Sequence, residues 1–159
     1  ASTWAIIAEA ILGRNEEAYS LYHRELPTMR NDKADICLIE PYVYASSMIA
    51  PCHEKSGMGV GSWLSGTASW MYVAATQYIL GFRPDYDGVM IDPCVPFEWD
   101  GFRYSRVYRG TKVLVMSEKL PKEGAGSKAL LVDGCRIEGN FLPAKMLKGK
   151  ERVTVKIEY

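Results

Sequence analysis

Hydrophobic positions recur with two periods along this chain, and the change falls near residue 82. Trp4, Ile7, Ala8 and Ile11 share the i, i+3, i+4, i+7 spacing of one helix face, and Gly13 ends that run. Asn15 followed by Glu16 and Glu17 reads as the cap and acidic first turn of a second helix. Ala18, Leu21, Tyr22 and Leu26 give it an inward face, and Pro27 stops it. So short a turn makes the pair an antiparallel helical hairpin. Residues 28–35 read as a loop, and Pro41 as the first residue of a short helix reaching Ile49. Pro51, Gly57, Gly59 and Gly61 make 50–61 a loop. Helical spacing returns over 67–80 through Trp70, Val73, Ala74, Gln77 and Tyr78, and Gly81 closes it.

After Phe82 the period is two. Val113 and Val115 alternate with polar neighbours, and Val153, Val155 and Ile157 alternate with Thr154, Lys156 and Glu158. Leu130, Leu131 and Val132 face Cys135, Arg136 and Ile137 across Asp133-Gly134, a strong hairpin signal. The fold class is therefore α+β: helices first, then short strands arranged as an antiparallel sandwich. A helical hairpin with one or two further helices cannot cover its own apolar residues, Trp4, Trp63 and Trp70 among them. The helical part reads as the end of a larger helical array.

Composition narrows the function classes. The chain has 159 residues, 48% hydrophobic and 24% charged, which is the balance of a folded protein. Nineteen Lys and Arg against nineteen Asp and Glu give zero net charge, so the basic excess that nucleic acid demands is missing. The longest apolar runs, 4–8 and 71–75, fall far short of the roughly 20 residues of a membrane span. Cys37, Cys52, Cys94 and Cys135 lack C-x-x-C spacing, and with only His23 and His53 beside them there is no zinc pattern. Reduced thiols and a cytoplasmic location are expected. No basic n-region precedes an apolar stretch. The chain begins with Ala1 rather than Met, and it is expected to be a piece of a longer protein.

One segment offers chemistry. Residues 61–68 end a glycine-rich loop and open a helix, where unpaired N–H groups and a partial positive charge suit an anion. Ser65 and Thr67 add hydroxyls, and Gly66 allows close approach of a ligand to the backbone. Ser65 also suits simple capping of the helix. No lysine follows the glycine, so this is not a P-loop. Glu40 stands before Pro41 either as a functional carboxylate or as a helix-start charge. Asp85, Asp87 and Asp92 lack the order of a calcium loop and read as turn formers. His23 reads as solvated.

Several segments are together familiar. Residues 2–10 (STWAIIAEA), 40–45 (EPYVYA), 62–70 (SWLSGTASW), 80–88 (LGFRPDYDG), 91–96 (IDPCVP) and 99–102 (WDGF) resemble, in order, motifs of the cellobiose phosphorylase family, glycoside hydrolase family 94. The similarity covers essentially the whole chain but only the C-terminal part of family members. It implies that residues 1–82 are the last helices of an (α/α)6 catalytic barrel and 83–159 a C-terminal β-sandwich domain. It implies inverting cleavage of a β-linked disaccharide, cellobiose first and N,N'-diacetylchitobiose second, by inorganic phosphate, giving an α-sugar 1-phosphate. Phosphate is then a substrate, no cofactor or metal is needed, and a homodimer is expected. The family's Thr-Gly pair for phosphate matches Ser65 and Gly66, with Thr67 and Glu40 as weaker candidates. Serine keeps the hydroxyl and loses a methyl. Many relatives carry glutamine where Ser46 stands, which bears on sugar preference. The family's general acid and phosphate-binding histidine match nothing here, so no catalytic residue is expected in the chain. The rival readings are a related helical-barrel hydrolase, a segment with a purely structural role, and a carbohydrate-binding module stacking sugar on Trp99, Phe102, Tyr104 and Tyr108.

Overall fold

The computed structural model describes residues 2–118 and 129–159. Helices α1 (Ser2–Ile11) and α2 (Asn15–Glu25) form the expected hairpin. Gly13 turns it at φ +71°, where its amide and that of Arg14 bond back to Ala10 and Glu9. Helix α2 buries Ala18 as expected, with Leu21, Tyr22 and Leu26 half-buried. Helix α1 is turned relative to the expected face. It buries Thr3 and Ile6, whereas Trp4 is 64% exposed and Ile11 62%. The elements it packs against lie on its 3-and-6 side, so Trp4, Ala8 and Ile11 are left outward while Ile7 is half-buried against the smaller core.

Residues 28–35 are not a plain loop. A 3-10 run (Pro27–Lys33) leads into α3 (Ala34–Cys37), which Leu38 ends in the left-handed region at φ 51°. The helix expected from Pro41 to Ile49 is absent. Val43 N–H closes a turn on Glu40 O, and beyond it β1 (Ser47–Met48) pairs antiparallel with β2 (Gly59–Val60). Ser46 N–H donates to Val60 O at 3.0 Å and Ile49 N–H to Met58 O at 2.9 Å. A helix would need those same amides, so the partner strand overrides the proline signal.

Helix α4 (Thr67–Val73) continues as a π-helical run (Ala74–Ile79), and Leu80 N–H reaches back five residues to Ala75 O. Gly81, at φ +72°, then turns the chain into strand β3 (Phe82–Pro84), which pairs with β4 (Gly88–Ile91) and through it β9 (Phe141–Pro143). A second sheet runs β5 (Phe102–Tyr108), β6 (Thr111–Ser117), β10 (Arg152–Glu158), β7 (Ala129–Val132), β8 (Cys135–Glu138). It is mixed, not wholly antiparallel: β10 runs parallel to β6, with Val153 opposite Val113. Parallel neighbours need a crossover, and here the chain makes β7, β8 and β9 before returning.

The two sheets bury one cluster, with Val89, Ile91 and Leu142 against Val113, Val115, Val153 and Val155. A smaller cluster joins Ile6, Met71, Ala74 and Ile79 to Val95. Phe102 packs against both. Asn15 does not cap α2. Its side-chain amide donates to Val95 O at 2.7 Å and its carbonyl accepts from the Cys94 thiol, while Glu16 accepts from Phe97 N–H at 2.8 Å. The start of α2 thus ties down the strand-rich half.

Candidate functional site

The turn before α4 is built from the sequence outward. Gly61, at φ +68°, ends the β1–β2 hairpin, and Trp63 follows in the left-handed region at φ +66°. Ser65 Oγ accepts the amide of Thr67 at 3.0 Å, so it does satisfy one donor of the helix start. It also lies 2.5 Å from Thr67 Oγ1, and either hydroxyl can donate. When Thr67 donates, the Ser65 hydroxyl proton is left to point elsewhere. Trp70 N–H closes the first helical bond onto Gly66 O at 3.1 Å. The amides of Ala68 and Ser69 precede that bond and have no carbonyl within the helix to receive them.

Gly66 sits at φ −76°, an ordinary conformation. A Cβ there would meet only Trp70 Cδ1, at 3.8 Å, which is normal contact. No atom of the described chain therefore demands glycine at this position.

Thr67 lines a cavity of about 460 Å³, together with Ser2, Arg30, Glu40, Tyr44 and Ser46. The volume suits a small polar ligand. Ser65 is not on the cavity wall, but its hydroxyl touches that of Thr67, which is. Glu40 accepts the indole N–H of Trp63 at 2.9 Å, across 23 residues. Its own backbone N–H, then Trp63 and Ser62, hold its carboxyl below the usual range. The sequence brought Glu40 forward as a candidate but gave no sign of Trp63 as its partner, because no periodicity links positions so far apart. The structure thus brings Ser65, Gly66 and Thr67 into one turn, and Glu40 against the same turn through Trp63.

Other candidates go elsewhere. His23 and His53 are exposed and neither lines the cavity. Asp85 N–H donates to Gly88 O in the β3–β4 turn, and Asp92 pairs with Arg83 at 3.1 Å. Among the described residues no group of three or more His, Cys, Asp or Glu could hold a metal ion. No helix among the described residues is long and apolar enough to cross a membrane. The four cysteines are free, and burial, first among its causes, pushes the Cys94 thiol up to about 11, an inert thiol at neutral pH. The aromatic residues of β5 pack inward, where Tyr104 donates to Leu80 O at 2.7 Å and Tyr108 donates to Asp85 O at 2.8 Å, and Trp99, before that strand, meets Tyr19 edge-on at 5.6 Å.

Residues 1–81 match the model of the glycosyl hydrolase 94 superfamily, catalytic domain, and the chain belongs to that family. It is similar to a solabiose phosphorylase from Paenibacillus borealis, 37% identical over 141 residues, covering 89% of this chain and 18% of that protein. An N,N'-diacetylchitobiose phosphorylase from Vibrio proteolyticus is 34% identical over 140 residues, covering 88% of this chain and 18% of that protein. The cyclic beta-(1,2)-glucan synthase NdvB from Rhizobium meliloti (strain 1021) is 31% identical over 127 residues, or 78% of this chain and 4% of that protein. The chain thus spans less than a fifth of the length of the two phosphorylases.

Proposed function

We propose that this chain is the C-terminal part of an inverting disaccharide phosphorylase. Its parent cleaves a β-linked disaccharide with inorganic phosphate to give an α-sugar 1-phosphate and a free sugar. The observation that carries this reading is the similarity to two phosphorylases along nearly nine-tenths of the chain. On this reading residues 1–82 close a helical barrel and 83–159 form a C-terminal β-sandwich. The carboxylic acid that protonates the leaving oxygen comes from outside these residues, so the chain does not turn over by itself.

Phosphate is both anionic and nucleophilic, so the protein must position it and offset its charge. Ser65 supplies a hydroxyl donor at a helix entrance where the amides of Ala68 and Ser69 have no carbonyl within the helix to receive them. Gly66 supports the same role: no described atom requires glycine there, and the uncrowded side of Gly66, with Trp70 Cδ1 no nearer than 3.8 Å, is where an oxyanion can approach the backbone. The 460 Å³ cavity adjoining Thr67 is the proposed place of the sugar. Ser46 stands on its wall, so a panel of cellobiose, N,N'-diacetylchitobiose and solabiose is the direct way to find the substrate.

The site is tested in the parent protein with Ser65→Ala and Gly66→Ala. Ser65→Ala is expected to raise the KM for phosphate roughly ten- to a hundredfold, the range for one lost donor to a charged group. Gly66→Ala is expected to do the same while leaving the thermal midpoint of the wild type unchanged. A lower midpoint with unaltered phosphate KM would return Ser65 to being a helix cap.

A further inference from the structure

We propose that Glu40 and Trp63 form a latch that sets the 61–66 turn, which makes Glu40 a positioning residue for the anion site and not a ligand of the substrate. The function of the latch rests on the reading above, in which this turn receives phosphate. Trp63 holds a left-handed backbone that bulky L-residues rarely adopt, so something outside its own preference must maintain it. Burial does not, because Trp63 is 68% exposed and its neighbour Leu64 81%. The turn's own closure is weak, with Leu64 N–H reaching Gly61 O only at 3.4 Å. What remains is the Glu40 carboxylate, which takes the indole N–H at 2.9 Å and a hydrogen bond from Ser62 in the same turn, and the edge contact of the ring with Tyr42, centroids 6.1 Å apart.

The receiving end is anchored. Glu40 O accepts Val43 N–H at 3.1 Å, and Ser46 N–H is bonded to Val60 O in the β1–β2 hairpin. An ionised carboxylate taking an N–H makes a stronger bond than a neutral pair, which suits it to hold a strained residue. Trp63 lies two residues before Ser65, so rotation about its φ carries the Ser65 hydroxyl and the Gly66 backbone with it. A displacement of even 1 Å at a positioning group costs up to about a hundredfold in rate. The latch therefore converts one hydrogen bond into the placement of two others.

The test uses the parent protein. Glu40→Ala and Trp63→Phe are each expected to raise the KM for phosphate about tenfold with the disaccharide KM unmoved, and the double variant to be no worse than either single one. Glu40→Gln keeps an acceptor oxygen and is expected to restore the phosphate KM to within about twofold of wild type. Amide hydrogen exchange of residues 61–67, faster in Glu40→Ala and Trp63→Phe than in wild type, reads the latch without any turnover. Unchanged exchange, or a Glu40→Gln variant as impaired as Glu40→Ala, would overturn the proposal. A disaccharide KM that rises with Glu40→Ala would also do so, since it makes Glu40 a sugar ligand. If the wild-type parent shows no phosphate-dependent turnover, the phosphorylase reading fails by itself, and the exchange experiment still decides the latch.

Discussion

Two glycines show how differently the same residue type can be required. Gly81 ends the helical half at φ +72°, and a Cβ there would lie 2.2 Å from the backbone carbon of Asp92. Its carbonyl also accepts Asp92 N–H at 2.9 Å, so neither strand can step aside. Gly81→Ala is expected to cost at least about 3 kcal/mol, read from the denaturation midpoint of the parent protein. A midpoint within error of wild type would show that the junction relaxes. Gly66 has neither a positive φ nor a close neighbour, and its substitution is expected to be silent in the same measurement. The sequence marks both as punctuation and cannot separate them, because the crowding at Gly81 comes from a segment eleven residues on. Asn15 is similar: its type and place suit a cap, but its amide is drawn to Val95 by tertiary packing.

Among the elements, the Asp133-Gly134 hairpin is the most legible. Both residues have positive φ, 49° and 86°, as a two-residue turn between right-twisted strands requires. Val132 pairs with Cys135 as the alternation predicts. The sequence did not reveal that the Asp133 carboxylate also accepts Lys150 Nζ and Thr154 N–H, each at 2.8 Å, fastening the turn to β10. The Lys150 bond first, then the Thr154 amide, hold this carboxyl below the usual range. A depressed native pKa means the tie is present above the unfolded value, about 3.9, and is lost as pH falls through the native one. The wild-type thermal midpoint is therefore expected to fall more steeply between about pH 5 and pH 3 than that of Asp133→Asn, which tolerates the turn but lacks the charge. Parallel slopes would show that the tie is screened away. The strand at 47–48 was not legible for the opposite reason: its partner at 59–60 overrides a local helix signal, and proline spacing carries no information about a partner.

At the scale of the whole molecule, the helical half buries a small cluster around Ile6 and Met71 and keeps several other large apolar residues outward. Trp4 and Trp70 lie with ring centroids 5.2 Å apart and both exposed, and Ile11 and Tyr72 are exposed as well. That excess was visible in the sequence as more aromatic residues than a few helices can cover, although the face they occupy was not. The passage from helices to strands was visible in the change of period at residue 82, although β1 and β2 lie before it and were read as a helix and a loop. The parallel pairing of β10 with β6 was not, because alternation along a strand is blind to its neighbour's direction. Membership of the family and a span of less than a fifth of two phosphorylases agree with a segment whose apolar faces are completed by other parts of a longer chain.

The most direct test of phosphorolysis follows the products of the parent protein on each disaccharide of the panel, with and without inorganic phosphate, by phosphorus and proton magnetic resonance. The account predicts that one sugar is consumed only when phosphate is present, with an α-configured sugar 1-phosphate and a free sugar appearing in equal amounts. Free sugars released at the same rate without phosphate would contradict it, and would make the parent a hydrolase whose Ser65 turn is a helix cap.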